Sequence, residues 1–388
     1  MHKPPENFDY IIVGNGLAGL QLALKFAEDS FFDSNTFGLI DPLDKSENDK
    51  SWSFWEKGKG QWEKIIHKSW NTAKVITSKK SLTLPLAPYV YKTIRSIDFY
   101  NYAKSILSKK DNFKFISDEV MSIEKDNTPL VIGKLNSFSA THVFDSRIPT
   151  AFFSSKTEEP LKNNSINIKQ HFKGIFIKTS EPKFNPSELT MMDYRLKDGE
   201  QTTFTYVLPF SETEALIEFT YFTPEIVSEK TYDHYLEKYI SEILNISDYK
   251  ITGTEVGVIP MSTFPFEKFS SKNITKIGTG GAWVKASTGY SFKHTEKKVE
   301  TIITNIKNGH KPSSNLICGK YKFYDKVFLK VLRDENQRGE WIFGQFYKKN
   351  SVQTMFKFLD EESSFSEELK IMWSLFSWSF IKAFFKTL

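Results

Sequence analysis

The stretch Phe8-Asp9-Tyr10-Ile11-Ile12-Val13-Gly14-Asn15-Gly16-Leu17-Ala18-Gly19 decides the fold. Its first half is an apolar run of strand character, and its glycines at 14, 16 and 19 have the G-x-G-x-x-G spacing that joins a strand to a helix. Each glycine meets a different need: Gly14 permits the tight turn, Gly16 lets backbone approach a pyrophosphate, and Gly19 lets the helix pack closely on the strand. Leu20, Leu22, Ala23, Leu24, Phe26 and Ala27 supply the apolar surface of that helix, whose unpaired N-terminal N–H groups favour an anion. A second short strand over 36–40 ends at Asp41, 22 residues past Gly19, where a carboxylate suits an adenosine ribose. Together these features predict a dinucleotide-binding unit held by Gly14, Asn15, Gly16, Leu17, Ala18, Gly19 and Asp41.

Outward from this unit, 388 residues predict two or three packed units at roughly 100–200 residues per domain. A charged fraction of 26% beside 39% hydrophobic residues argues against a disordered or fibrous chain. The net charge of +5 is spread along the chain, so no nucleic-acid partner is expected. Phe 35, Tyr 16 and Trp 8 predict a large apolar core or a pocket for an apolar ligand. One cysteine, Cys318, excludes an intrachain disulfide framework and a Cys-rich metal site; no metal site is expected. No uninterrupted apolar run reaches about 18 residues and the first ten residues are too polar for a secretory signal, so the bulk is expected in the cytosol.

Residues 51–80 are aromatic and polar, with Trp52, Phe54, Trp55, Trp62 and Trp70, and read as excursions from the nucleotide unit. A loop is expected over 84–89, a helix over 96–107, and later strands of the nucleotide sheet over 113–116 and 141–145. From 166 to 222 the period moves toward two, with a hairpin over 203–208 and 215–222. Helices are expected over 232–244 and 295–307, a return strand and glycine turn over 276–281, and mostly helix from 321. The predicted domains are a discontinuous nucleotide-binding unit (1–60, 85–150 and 250–310), a β-rich substrate unit (61–84 and 151–249), and a helical region over 311–388.

These residues resemble the flavin-dependent lycopene cyclase family, the single-chain bacterial type related to plant lycopene β-cyclases. The resemblance spans nearly the whole chain. It rests on residues 8–19, Ser51-Trp52-Ser53-Phe54, Val143-Phe144-Asp145-Ser146-Arg147, Gln170-His171-Phe172-Lys173-Gly174 and Met192-Asp193-Tyr194-Arg195. Leu216-Ile217-Glu218-Phe219-Thr220 is similar to the family's Phe-Leu-Glu-Glu-Thr catalytic segment, and Gly257-Val258-Ile259-Pro260-Met261 with Lys285-Ala286-Ser287-Thr288-Gly289-Tyr290 completes the set. The resemblance implies an α/β, Rossmann-like, two-dinucleotide-binding flavoprotein of the glutathione-reductase/hydroxylase type, with an inserted β-rich domain and a helical C-terminus. It implies FAD, active in its reduced form and held also by Gly280 and Gly281, with NAD(P)H as electron donor. The implied reaction turns the ends of linear lycopene into β-ionone rings, γ-carotene and then β-carotene, without net redox. Two departures stand out: Phe219 replaces the second acid of the catalytic segment, and Gly278-Thr279 stands where many flavin hydroxylases have Gly-Asp.

Such a cyclisation begins with protonation of a carbon–carbon double bond and ends with loss of a ring proton, so it needs a neutral carboxylic acid in an apolar, cation-tolerant pocket. On a strand, Glu218 shares a face with Leu216 and Thr220, opposite Ile217, Phe219 and Tyr221, and is the candidate acid. By pattern alone, a solvent-facing glutamate is the alternative. Tyr290 and Trp283 are candidate aromatic partners or core residues; His171 and His294 stay unassigned. Residues 369–388 carry Trp, Phe and interspersed lysines, suiting a helix in the headgroup region or one docked on the core. The resemblance thus points to a peripheral protein of the cytoplasmic face of the membrane, drawing lycopene from the bilayer, with other carotenoid-forming enzymes as candidate partners. A flavin-dependent monooxygenase or isoprenoid reductase, and a non-catalytic carotenoid- or flavin-binding membrane protein, are the competing readings.

Overall fold

Glu6–Val13 forms the expected strand and runs through the glycine turn into the helix Leu17–Glu28. The computed structural model describes residues 4–124, 128–153 and 165–388. Glu6–Val13 is flanked by parallel strands, Phe37–Asp41 on one edge and Ser137–Asp145 on the other, with Phe113–Ser117 beyond the former. Both faces of this sheet are covered, which is why its centre is a continuous apolar run. Ile12, Leu39 and Phe144 meet the helices Leu17–Glu28, Ser96–Leu107 and Phe292–Lys307. Ile11, Val13, Ile40 and Val143 face a second, smaller cluster. Ser137–Asp145 is shared: its first half pairs with the antiparallel strand Leu130–Gly133, which pairs in turn with Val120–Glu124, and Val143, Phe144 and Asp145 pair with the return strand Ile274–Lys276.

The turn depends on absent side chains. Gly14 has φ +98, a left-handed value that favours glycine, and a Cβ there would overlap the Ser146 hydroxyl, which donates to the Val13 carbonyl at 2.7 Å. A Cβ on Gly19 would overlap the carbonyl oxygen of Gly14.

A second sheet of seven strands runs in the order Tyr249–Ser262, Asn167–Thr179, Glu214–Thr223, Thr203–Pro209, Glu188–Asp193, Thr72–Ile76 and Ser81–Pro85. The expected hairpin is its centre. One expected boundary moves: residues 250–262, assigned from sequence to the nucleotide unit, pair along almost all of Asn167–Thr179. This is an edge strand with exposed Ile251, Val256 and Val258, so its alternation is blurred. Leu84 and Pro85, expected in a loop, end the opposite edge strand, a position that tolerates proline. The aromatic excursion is a third sheet, Ser51–Lys57, Tyr89–Arg95 and Lys68–Trp70.

One face of the large sheet packs on the helix Glu229–Lys238 and the wider turn Tyr239–Ile243 that continues it. The other meets the C-terminal helices Gly319–Asp334, Gly339–Lys349, Val352–Leu359, Phe365–Ser374 and Trp378–Phe385. The single helix expected over 369–388 is two. Ser374 turns its hydroxyl to the Ile371 carbonyl, at 2.7 Å, and Ser377 is extended, so the serines break what the apolar pattern would continue. Glu368, buried, anchors the first of the pair through hydroxyl donation from Tyr321 at 3.1 Å and Tyr324 at 2.9 Å and an ion pair with Lys320.

Gly19→Ala is expected to lower stability by about 1–3 kcal/mol, because the added methyl presses on backbone that cannot swing aside. Gly16→Ala, whose Cβ would meet nothing within 4 Å, is expected to unfold in urea with a midpoint near wild type. Equal midpoints for the two variants would contradict this assignment of the glycines.

Candidate active site

Between the inner face of the large sheet and the C-terminal helices lies a cavity of about 820 Å³. It runs from Ser51, Ile148 and Thr279 beside the nucleotide sheet to Phe380 and Phe384 of the last helix. Strand alternation builds its wall: Leu216, Glu218 and Phe222 line it, while Ile217, Phe219 and Tyr221 point to the helix on the far side. Phe219 stacks on Tyr235 at 4.8 Å, so an acid at 219 would face packed aromatic rings and not the cavity.

Glu218 is only 8% exposed and accepts a hydroxyl bond from Thr220 at 2.7 Å. Burial pushes its carboxyl up to about 8, with the nearby Glu255 adding to the shift and Thr220 opposing it. The group is therefore a neutral acid at neutral pH. Glu255, equally buried, receives the Ser51 backbone N–H at 3.0 Å and the Ser51 hydroxyl at 2.9 Å. Burial raises it also, opposed by those two donors and by Lys50. On the other side of Glu218 stands Tyr206, whose hydroxyl donates to Tyr91 at 2.9 Å; Tyr91 meets Tyr290 at 3.0 Å. Burial drives all three phenols well above their ordinary value, so they remain neutral.

Tyr290 thus lines the cavity, whereas Trp283 packs in the core beneath the helix Phe292–Lys307. Neither histidine lines this cavity. His171 lies on the far face, held by Tyr232 and by Thr223 at 2.7 Å, and burial lowers it to about 4. His294 meets the Leu359 carbonyl at 3.0 Å, and burial lowers it to about 3.

At the glycine turn, no side chain caps the helix Leu17–Glu28, the space over Gly16 is open, and the buried Asn15 Oδ1 has no hydrogen-bond partner. An uncapped helix start beside bare backbone fits the phosphates of a dinucleotide. Asp41 stands at the end of its strand, but both oxygens already serve the turn: Oδ2 accepts from Asn15 N at 2.7 Å and Oδ1 from Leu43 N at 2.8 Å, with Lys45 at 3.5 Å. Gly280 and Gly281 need to be bare because the Arg147 and Lys276 carbonyls press on them, so the turn itself is packed against protein. Asp145 pins this end of the sheet: Lys276 Nζ at 2.9 Å and Arg147 Nε at 2.9 Å hold it below the ordinary carboxylate range despite its burial.

Sequence reasoning missed Glu255, Tyr91, Tyr206 and Lys276. The available signal was Gly174, an isolated glycine inside an alternating strand, which marks a close approach.

A mixed sheet entered by a glycine turn, a large mostly antiparallel sheet and a helical cap enclosing a cavity form a fold shared with solved reductase-like and flavin-dependent halogenase structures. A geranylgeranyl bacteriochlorophyll reductase-like protein from Thermoplasma acidophilum is 12% identical, with 99% of this chain and 100% of that chain covered and a TM-score of 0.61. A flavin-dependent brominase is 12% identical over 91% of this chain and 93% of its own, TM-score 0.59. A mutant of the halogenase PltM in complex with FAD is 10% identical over 98% and 90%, TM-score 0.59. The chain belongs to the lycopene cyclase family, whose profile, described as Lycopene cyclase protein, matches residues 9–384. No curated protein matches it.

The raised carboxyl has a consequence for stability. Between 4.5 and about 8 the unfolded chain releases this proton while the folded protein keeps it, so folding weakens as pH rises through that window. Glu218→Gln removes the penalty, and its melting temperature relative to wild type is expected to rise from about pH 5 to about pH 9, by the equivalent of a few kcal/mol. A pH-independent difference would contradict a buried neutral acid.

Proposed function

We propose that the protein cyclises the ends of lycopene to β-ionone rings, with Glu218 as the proton donor. The observation that carries this reading is a neutral carboxyl group, with no cation among the groups that shift it, on the wall of a largely apolar cavity. Glu218 Oε–H transfers its proton to the terminal double bond, and the resulting tertiary cation is flanked by the ring faces of Tyr206, Tyr91 and Tyr290. Thr220 holds the glutamate rotamer, and the apolar wall keeps out water that would otherwise capture the cation as an alcohol.

Gly16, Asn15 and the start of the helix Leu17–Glu28 would hold the pyrophosphate of FAD, with Asp41 shaping the turn. FAD held there, with NAD(P)H as the proposed electron donor, would supply electron density to steady positive charge without net redox. Gly16→Ala, which leaves the fold intact, is expected to abolish flavin retention through purification.

The substrate is an oil, and the last two helices suit its uptake. Trp373 and Trp378 are 75% and 76% exposed, alongside exposed Phe376, Phe385, Lys370, Lys382 and Lys386. Aromatic and basic residues on one surface suit a bilayer headgroup layer. No helix among the described residues is long and apolar enough to cross a membrane. The double variant Trp373→Ser, Trp378→Ser is expected to sediment less with anionic liposomes than wild type; equal sedimentation would remove this surface from the account.

Purified protein with FAD, dithionite and lycopene in liposomes is expected to give ring-bearing products of unchanged mass, detected by chromatography. Glu218→Gln is expected to lose roughly 10²–10⁴-fold in rate. Products that gain hydrogen or oxygen would instead favour a flavin-dependent oxidoreductase, and absence of conversion a binding protein.

A further inference from the structure

We infer that Glu255 is the base that completes the cyclisation begun by Glu218, the two forming an acid–base pair across the bare backbone of Gly174. This rests on the lycopene-cyclising reading of the cavity proposed above. Asn167–Thr179 lies between Tyr249–Ser262 and Glu214–Thr223, and the register sets Gly174 opposite Glu255 on one side and Glu218 on the other. Residues directly opposite in adjacent strands share a face, and both acids line the cavity. Two interstrand spacings separate their backbones by roughly 9–10 Å. The residue between has no side chain, and a Cβ there would come to 2.9 Å of Leu216 Cδ1 and 3.4 Å of Glu218 Cβ. Leu216 and Glu218 fill the space over Gly174, and both acids border the same cavity, so a reacting polyene end lying in it would have a carboxyl group on either hand.

The two acids differ in their donors. Glu218 has one hydroxyl bond in apolar surroundings, which leaves the proton on the group. Burial raises Glu255 too, but a donor from Ser51 on each oxygen and the charge of Lys50, against Asp49, oppose that rise where Glu218 has only Thr220. Environments that drive paired acids apart assign donor and acceptor.

The step balances. Glu218 gives its proton to the terminal double bond, and the electron pair of the neighbouring double bond closes the carbon–carbon bond of the ring. A C–H bond beside the new cation breaks, its electrons form the ring double bond, and the proton passes to Glu255. One proton returned from Glu255 to Glu218 restores the pair, and no electrons are gained or lost.

The test uses full-length protein with FAD, dithionite and lycopene liposomes in deuterated buffer. Glu255→Gln is expected to slow ring formation on the order of 10²-fold. It should also spread the product over isomers with the ring double bond elsewhere, and leave deuterium in recovered lycopene, because protonation continues while ring deprotonation stalls. Glu218→Gln should leave recovered lycopene unlabelled. Glu255→Asp, a carboxylate one methylene farther back, should fall between wild type and Glu255→Gln in rate and isomer purity. Wild type that forms no ring overturns both readings. Wild type that forms rings, beside a Glu255→Gln variant of unchanged rate and isomer ratio, overturns this one alone, as does an Asp variant no better than Gln.

Discussion

A carboxyl group withdrawn from water without a cation beside it is the constraint on which the rest of the structure depends. In water Glu218 would ionise; in this cavity its charged form is disfavoured by desolvation and by a second acid nearby. Holding such a group costs stability, and the protein offsets it by building the acid into the interior of a seven-stranded sheet whose other face is fully packed. Elsewhere in the interior, charge is handled in the opposite way. Lys285 is buried against Asp325 at 3.0 Å and Glu361 at 2.9 Å, and Asp145 is buried against Lys276 and Arg147. Compensated pairs lie at the seams of the fold, and the uncompensated acid lies in the cavity.

What could be read from the sequence was what local spacing determines. The glycine turn is a set of contacts within a dozen residues, so its three glycines were legible, and Gly14 and Gly19 stand where the turn and the helix packing need them. The face of Glu218 was legible because strand alternation is local too. The same alternation puts Phe219, which replaces the second acid of the family's segment, on the opposite face, where it stacks on Tyr235.

Register and tertiary packing were not legible. Glu255 reaches Glu218 only because a third strand lies between them, and nothing within either segment states that pairing. The phenol chain draws Tyr91, Tyr206 and Tyr290 from three segments that the sequence holds far apart. Asp41 was read as a ligand for ribose because its spacing suits one, yet in the folded chain it also ties down the turn. The strand beginning at Tyr249 was misplaced because its exposed Ile251, Val256 and Val258 weaken the two-residue rhythm.

The break between the last two helices bears on how an oil could travel. Buried Ile371 and Leu375 line the cavity together with exposed Met372, Phe376, Phe384 and Phe385, so on these short, serine-interrupted segments the apolar wall of the cavity continues onto the outer surface. A hydrocarbon taking that route would exchange one greasy surrounding for another, with little hydration along the way.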